Sequence, residues 1–251
     1  MPNPPPNYVP GHGLLRDKRV VVTAAAGTGI GYATARRCAE EGARVLISDI
    51  HERRLAEAAE RLEAETGHKA ETALCNVTKE ADVEALLAAA SDAFGEIDIL
   101  VNNAGMGGNA PLVEMTDDQW NLVMDVTLNG TFRMTRAAMR HMMPHGNGVI
   151  VNNASVLGWR AQKLQAHYAA AKAGVMALTR CAAMEAAQRG IRVNAVAPSL
   201  AMHPFLEKVT SAELLEPLKA KEAFGRAATP EEVANVILFL ASDLSSYMTG
   251  E

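Results

Sequence analysis

Thr23-Ala-Ala-Ala-Gly-Thr-Gly-Ile-Gly31 follows the β-branched run Arg19-Val-Val-Val22 and leads without a break into Tyr32-Ala-Thr-Ala-Arg-Arg37, a stretch of helical composition. A turn of small residues between a strand and a helix lets the backbone approach a pyrophosphate. The exposed N–H groups and positive dipole end of the helix then meet its charge. Thr23, Ala25, Gly27, Thr28, Gly29 and Ile30 are therefore candidate cofactor-binding residues. The next β-branched run ends at Asp49, twenty residues after Gly29. A carboxylate there accepts hydrogen bonds from both ribose hydroxyls of a dinucleotide and repels a 2′-phosphate, which favours NAD over NADP. Arg53 and Arg54 follow on the second helix, facing solvent or, with the loop rearranged, a phosphate.

Outward from this unit, short β-branched runs alternate with Ala/Glu/Arg-rich segments of helical period, the pattern of βα units around a parallel sheet. Strands are predicted at 19–24, 44–48, 70–75, 97–101, 148–153 and 192–197, with helices at 30–41, 52–65, 80–94, 117–142, 166–188 and 231–241. Right-handed crossovers make this a doubly wound α/β sheet of three αβα layers, in one domain spanning 16–251. Residues 1–15 open with five prolines in the first ten positions and read as an extended arm, free or packed on a neighbouring subunit. Residues 199–224 lack strand character and fall where ligands bind in such sheets, so they are expected to form a substrate lid.

The 251 residues, 49% hydrophobic and 21% charged, suffice for a sizeable core. A net charge of -5 without any sustained Lys/Arg cluster argues against nucleic acid or an anionic membrane and for a small-molecule ligand. Three widely spaced cysteines, Cys38, Cys75 and Cys181, read as buried free thiols of a reducing compartment. No apolar run reaches membrane-spanning length and no signal peptide is present, so a cytoplasmic location is expected. His167 and His203 have no partners at ligand spacing, and no metal is expected.

Tyr168 and Lys172 stand one helical turn apart in His167-Tyr-Ala-Ala-Ala-Lys172, and Ser155 ends the apolar run Val149-Ile-Val-Asn-Asn-Ala154. Side chains at i and i+4 share a helix face, so the ammonium is expected to favour the phenolate. Bringing a phenol from about pH 10 to near neutrality takes roughly 4 kcal/mol. On an ordinary helix the same spacing is only a solvated face.

With these sets in place the chain resembles the short-chain dehydrogenase/reductase family over nearly its whole length. Asn102-Asn-Ala-Gly105 matches the family's turn after the fourth strand, and Gly225-Arg226, Pro230-Glu-Glu-Val233 and Ser246-Tyr-Met-Thr-Gly250 match its C-terminal pattern. The resemblance implies a Rossmann-type fold and a catalytic set of Ser155, Tyr168 and Lys172. It adds Asn76, Val77, Asn103, Ala104, Gly105, Pro198 and Ser199 to the cofactor site, and implies pairing of the helices at 117–142 and 166–188 into homodimers or tetramers.

Four positions depart from the family pattern. The phosphate turn carries Ala where relatives have the glycine after Thr23, with one extra residue. Thr127 stands where many relatives have an Asn that anchors a water in the proton relay, and is carried as a fourth catalytic position. Asn76 replaces an Asp and is expected to address the adenine amino group. Pro198-Ser199 replaces Pro-Gly. The chain ends at Glu251, about where relatives begin a final strand.

Within the family, the turn, Ser48-Asp-Ile-His-Glu-Arg-Arg54 and Asn152-Asn-Ala-Ser-Val-Leu-Gly-Trp-Arg-Ala-Gln162 look most like actinobacterial dehydrogenases of steroid ring C/D breakdown. Such relatives oxidise a ring hydroxyl on a bicyclic coenzyme A thioester, although they are often labelled acetoacetyl-CoA reductases. Met106, Leu157, Trp159, Leu164, Leu200, Met202 and Phe205 would form an apolar substrate pocket, and Arg160 and Lys163 would meet a coenzyme A phosphate. An NADPH-dependent 3-oxoacyl reductase and a non-catalytic nucleotide sensor are the alternative readings.

Overall fold

A computed structural model describes residues 8–202 and 212–251. Six strands, β1 (Arg19–Thr23), β2 (Arg44–Asp49), β3 (Glu71–Leu74), β4 (Ile99–Asn102), β5 (Gly148–Asn153) and β6 (Ile191–Val196), form one parallel sheet in the order β3-β2-β1-β4-β5-β6. The strands read as continuous apolar runs because both faces are covered. Val20, Val22, Ile47 and Val101 point into a core shared with α1 (Ile30–Glu40), α2 (Glu52–Thr66) and the C-terminal helix at Pro230–Ala241. Their neighbours Val21, Leu46, Leu100 and Ile150 point the other way, against α3 (Glu80–Phe94) and the helices at Gly130–Met142 and Ala166–Ala186. The strand order reverses between β1 and β4, so the carboxyl ends of these two strands open a crevice.

Two elements differ from expectation. The helix predicted over 117–142 is divided into α4 (Asp117–Met124), a π-helical turn at Asp125–Asn129 and α5 (Gly130–Met142). Five residues of ordinary helical composition, with Thr127 alone buried, give no sign of the widened turn in the sequence. The stretch 199–224 contains α7 (Ala212–Lys221), which follows α6 (Ala166–Ala186), and Pro217 within α7 hides it from a helical reading. The last helix, α8, is Pro230–Ala241.

The expected arm is described from Tyr8 onward; Met1 to Asn7 lie outside the described residues. Tyr8 to Leu15 dock on the chain's own α1. Glu41 is fully buried and takes N–H groups from His12 at 2.9 Å and Leu14 at 2.8 Å, while Arg37 reaches it at 2.8 Å. The Tyr8 hydroxyl donates to Glu40, and the guanidinium of Arg36 lies 5.0 Å from the Tyr8 ring centroid. Cys38 and Cys75 are buried free thiols, burial pushing each up to about 12. Cys181, expected to be buried with them, lies on the outward face of α6 and is exposed. Among the described residues no helix is long and apolar enough to cross a membrane, and no three His, Cys, Asp or Glu side chains gather as a metal site requires.

Candidate active site

The turn after β1 is held from three sides. Ala24 adopts φ 51°, a left-handed conformation that costs a non-glycine residue roughly 1–2 kcal/mol. Its carbonyl and that of Thr23 accept from Asn103 Nδ2 at 3.1 and 3.2 Å, while the Thr23 hydroxyl accepts the backbone N–H groups of Asn103 and Ala104, each at 3.0 Å. Ala25 donates to the Ser48 carbonyl at 3.0 Å, and Ala26 donates to Asp49 Oδ2 at 3.3 Å. Arg61 donates to the Gly27 carbonyl at 2.7 Å.

The turn fits a dinucleotide. Gly27 and Thr28 are exposed, and a Cβ on Gly27 would meet nothing nearer than Gly29 N at 3.9 Å. Gly29 caps α1 without a side-chain acceptor, and the first turn of α1 holds no acidic residue, so its N–H groups are available to a phosphate. Gly31 has a different task. A Cβ there would lie 2.4 Å from both the Ala24 carbonyl and Asn103 Nδ2, so only glycine lets α1 start against the ends of β1 and β4.

Asp49 sits half-buried at the end of β2. Its Oδ1 accepts from His51 N at 3.2 Å, and burial raises its pKa against the lowering by Ala26 N–H and Arg54. Backbone N–H groups of Ala26, Ile50 and His51 address the carboxylate, and its remaining acceptor capacity is free for a ribose hydroxyl. Asn76 lies at the same end of the sheet, just after β3. Its amide oxygen accepts from Thr78 N at 3.1 Å and Thr78 Oγ1 at 2.8 Å, filling both lone pairs, so the acceptor expected for the adenine amino group is occupied. Val77 packs in the core and touches the space beside Gly130.

Tyr168 and Lys172 lie in the first two turns of α6, and Ser155 lies just beyond β5. The Ser155 hydroxyl accepts from Leu157 N at 3.2 Å and lies close enough to the Tyr168 phenol to lower its pKa. Gly107 passes against the Tyr168 ring, where an added Cβ would lie 3.4 Å from Cδ2. Lys172 is buried, lies 5.6 Å from the Tyr168 ring centroid, and donates from Nζ to the Asn153 carbonyl at 2.5 Å. The Asn153 side chain donates to Asn103 Oδ1 at 2.9 Å, which links the lysine to the β1 turn.

The electrostatics run against the expectation from spacing alone. Burial raises the Tyr168 pKa, and the nearby Ser155 hydroxyl lowers it only in part. Burial also pulls Lys172 down to about 8, which weakens the cation expected to favour the phenolate.

Thr127 sits in the π-helical turn with its hydroxyl committed on both sides. It accepts from Met106 N at 3.0 Å and donates to the Met106 carbonyl at 3.0 Å. Its backbone carbonyl accepts from Thr131 Oγ1 at 2.8 Å. A Cβ at Gly105 would lie 3.4 Å from Lys172 Nζ and 3.8 Å from Thr127 Oγ1, so the loop after β4 runs between them.

The expected substrate side is a half-open rim. Met106 (39% exposed), Trp159 (67%) and Leu164 (44%) present apolar surface, Leu157 is partly buried, and Arg160 and Lys163 are exposed. Gln165 ties two loops of this rim together, donating to the Gly108 carbonyl at 2.8 Å and Asn109 Oδ1 at 2.5 Å. Pro198 accepts from Val156 N at 3.0 Å, and the Ser199 hydroxyl donates to Glu222 at 2.6 Å. Leu200 accepts from Ala228 N and Met202 donates to the Ala228 carbonyl, each at 2.9 Å, which pairs the start of the expected lid segment with Ala228; residues 203–211 of that segment lie outside the described residues. His203 and Phe205 lie outside the described residues. Asn153, Gln165 and Arg61 were missed from sequence, because each acts on backbone that only the fold brings near. A cavity of about 520 Å³ at the opposite ends of β4 to β6, lined by Lys18, Asp98 and Arg192 among others, holds none of the expected site residues.

The family model described as enoyl-(acyl carrier protein) reductase matches residues 24–251. A Mycobacterium tuberculosis protein named (5R,7aS)-5-hydroxy-7a-methyl-1-oxo-2,3,5,6,7,7a-hexahydro-1H-indene-carboxyl-CoA reductase is 62% identical, over 98% of this chain and 94% of its own length. A 3-oxoacyl-(acyl-carrier-protein) reductase of Thermotoga maritima is 42% identical, over 94% of this chain and 95% of its own length. A crystal structure of a short-chain dehydrogenase from Mycobacterium smegmatis superposes with a TM-score of 0.87 at 55% identity, covering 98% of this chain and 94% of the other. The parallel sheet, the turn after β1, the cleft that joins Ser155, Tyr168 and Lys172, and these relatives agree: the chain belongs to the short-chain dehydrogenase/reductase family and is an NAD(P)-linked oxidoreductase.

Proposed function

We propose that the protein interconverts a secondary alcohol and a ketone on a bulky, ring-containing coenzyme A thioester of steroid breakdown, with NAD as the preferred cofactor. The observation that carries the chemistry is the convergence of three side chains, Ser155 just beyond β5 and Tyr168 and Lys172 one turn apart on α6, with the lysine 5.6 Å from the tyrosine ring centroid. A bound nicotinamide ring supplies the hydride donor or acceptor. Tyr168, kept protonated by burial, is in the state that delivers a proton to a carbonyl oxygen as it gains negative charge; in the reverse direction the phenol must first give up its own proton, and the phenolate so formed takes the alcohol proton. Ser155 donates to the same oxygen and stabilises charge there. Lys172 holds the Asn153 carbonyl and keeps a positive charge below pH 8, where it favours the ionised phenol. Thr127, with its hydroxyl bonded to both backbone groups of Met106, acts as a positioning residue of the loop after β4.

Asp49 supports NAD, since a second negative charge near its carboxylate is unfavourable. The exposed apolar rim at Met106, Trp159 and Leu164 suits a hydrocarbon ring system, and Arg160 and Lys163 suit the coenzyme A phosphates. The 62% identity to the M. tuberculosis reductase supports that substrate class. An NADPH-linked 3-oxoacyl reductase is the competing reading, supported by the T. maritima relative. An assay with NAD(H) and NADP(H) against bicyclic steroid-derived and straight-chain hydroxyacyl and oxoacyl coenzyme A thioesters separates the two. Turnover of the bicyclic thioester with NAD(H) is expected; activity confined to short straight chains with NADPH overturns the proposal. Tyr168→Phe is expected to lower kcat by at least about 10²-fold with NADH affinity retained, and a near-normal kcat would remove the tyrosine from its role.

A further inference from the structure

We propose that Arg61, on α2, is a positioning residue of the cofactor turn, and that dinucleotide affinity depends on it while the rate of the chemical step does not. Arg61 donates from Nη2 to the Gly27 carbonyl at 2.7 Å, and its guanidinium lies 3.6 Å from the ring centroid of Tyr32 on α1. Tyr32 is itself buried and fixed, its hydroxyl donating to Glu65 Oε2 at 3.0 Å. Arg53 on the same helix shows the ordinary alternative, 85% exposed at its side chain and paired only with Glu57. Arg61 instead turns inward. Its Nε is buried without a hydrogen-bond partner among the described residues, a cost tolerated for what the far end of the side chain does.

The effect on the turn follows from peptide geometry. A trans peptide points its carbonyl and N–H in opposite directions. With the Gly27 carbonyl drawn toward α2 by Arg61, the Thr28 N–H is aimed away from α2, and a Cβ placed on Gly27 finds no neighbour within 3.9 Å. That is the arrangement of a donor held ready for a phosphate oxygen. The other anchors of the turn, Asn103, Ser48 and Asp49, act on Thr23 to Ala26 and stop short of Gly27. The turn that replaces a glycine by Ala24 and carries one residue more than expected is therefore fixed at its tip by α2, and the guanidinium brings a positive charge to the same place.

This rests on the turn being the dinucleotide site, and the test keeps the two apart. The dissociation constants of NADH and ADP-ribose are measured by fluorescence and calorimetry for wild type, Arg61→Met, Arg61→Lys and Tyr32→Phe, alongside kcat at saturating cofactor and thermal unfolding. Arg61→Met is expected to weaken NADH and ADP-ribose alike, by about tenfold, with kcat within about twofold of wild type. Arg61→Lys, which keeps charge and one donor, is expected to recover most of that loss. Tyr32→Phe keeps the ring under the guanidinium and is expected to bind as wild type. Unchanged affinity in a folded Arg61→Met overturns the proposal alone, as does a loss confined to NADH or a parallel loss of kcat. Wild-type protein that binds neither ligand overturns the cofactor reading and this proposal with it.

Discussion

Lys172 carries two opposing demands: a cation useful to Tyr168 and a burial that penalises charge. Its folded-state pKa, about 8 against an ordinary 10.5, sets the sign of a stability effect. Between those values the unfolded chain binds the proton and the folded one does not, so stability rises with pH across the window. Below pH 8 the penalty is complete, on the order of 3 kcal/mol, offset in part by the hydrogen bond to the Asn153 carbonyl. Lys172→Met removes the titration. Urea unfolding from pH 7 to 10.5 is expected to show wild type gaining on the variant as pH rises through 8, and a pH-independent difference would mean the lysine stays charged throughout. Ser155, Tyr168 and Lys172 were picked out from the sequence by spacing together with the family resemblance, and the fold brings Tyr168 and Lys172 together on α6 beside the end of β5. The direction of the tyrosine shift was read the wrong way from spacing alone, because the burial that sets it is made by distant segments.

At the scale of elements, the strands and most helices were readable from their periods, and the errors fall where the backbone leaves those periods. The π-helical turn at Asp125–Asn129 widens the helix by its hydrogen bonding while its residue types stay those of a helix, and it turns Thr127 toward the Met106 backbone. The β1 turn shows that glycines of one motif do different jobs. Gly31→Ala forces a Cβ to 2.4 Å from the Ala24 carbonyl and Asn103 Nδ2, displacing the start of α1 from β1 and β4. It is expected to destabilise by about 1–3 kcal/mol and to weaken cofactor binding. Gly27→Ala meets open space and is expected to leave stability unchanged or raised by up to about 1 kcal/mol. Chemical unfolding of the two variants decides it, and equal losses would show that the motif tolerates no side chain anywhere.

For the whole molecule, layer order and the position of the cleft followed from the βα alternation, whereas docking of the arm on α1 did not, since proline-rich sequence gives no clue to which buried carboxylate collects its N–H groups. Exposed apolar side chains gather on opposite faces of the sheet. Leu122, Phe132 and Met184 lie on α4, α5 and α6, while Val236, Phe239 and Leu244 lie on α8 and the segment after it. If each set meets its own copy across a two-fold axis, two such contacts on opposite faces close into a tetramer, and that assembly is the one expected in solution. Sedimentation velocity is expected to give about 107 kDa, four times the 26.7 kDa chain. Met184→Asp should remove the contact through α6 and Phe239→Asp the contact through α8, each leaving a dimer near twice the chain mass. A wild-type species at the mass of one chain would leave both apolar faces without a subunit partner and overturn the assembly.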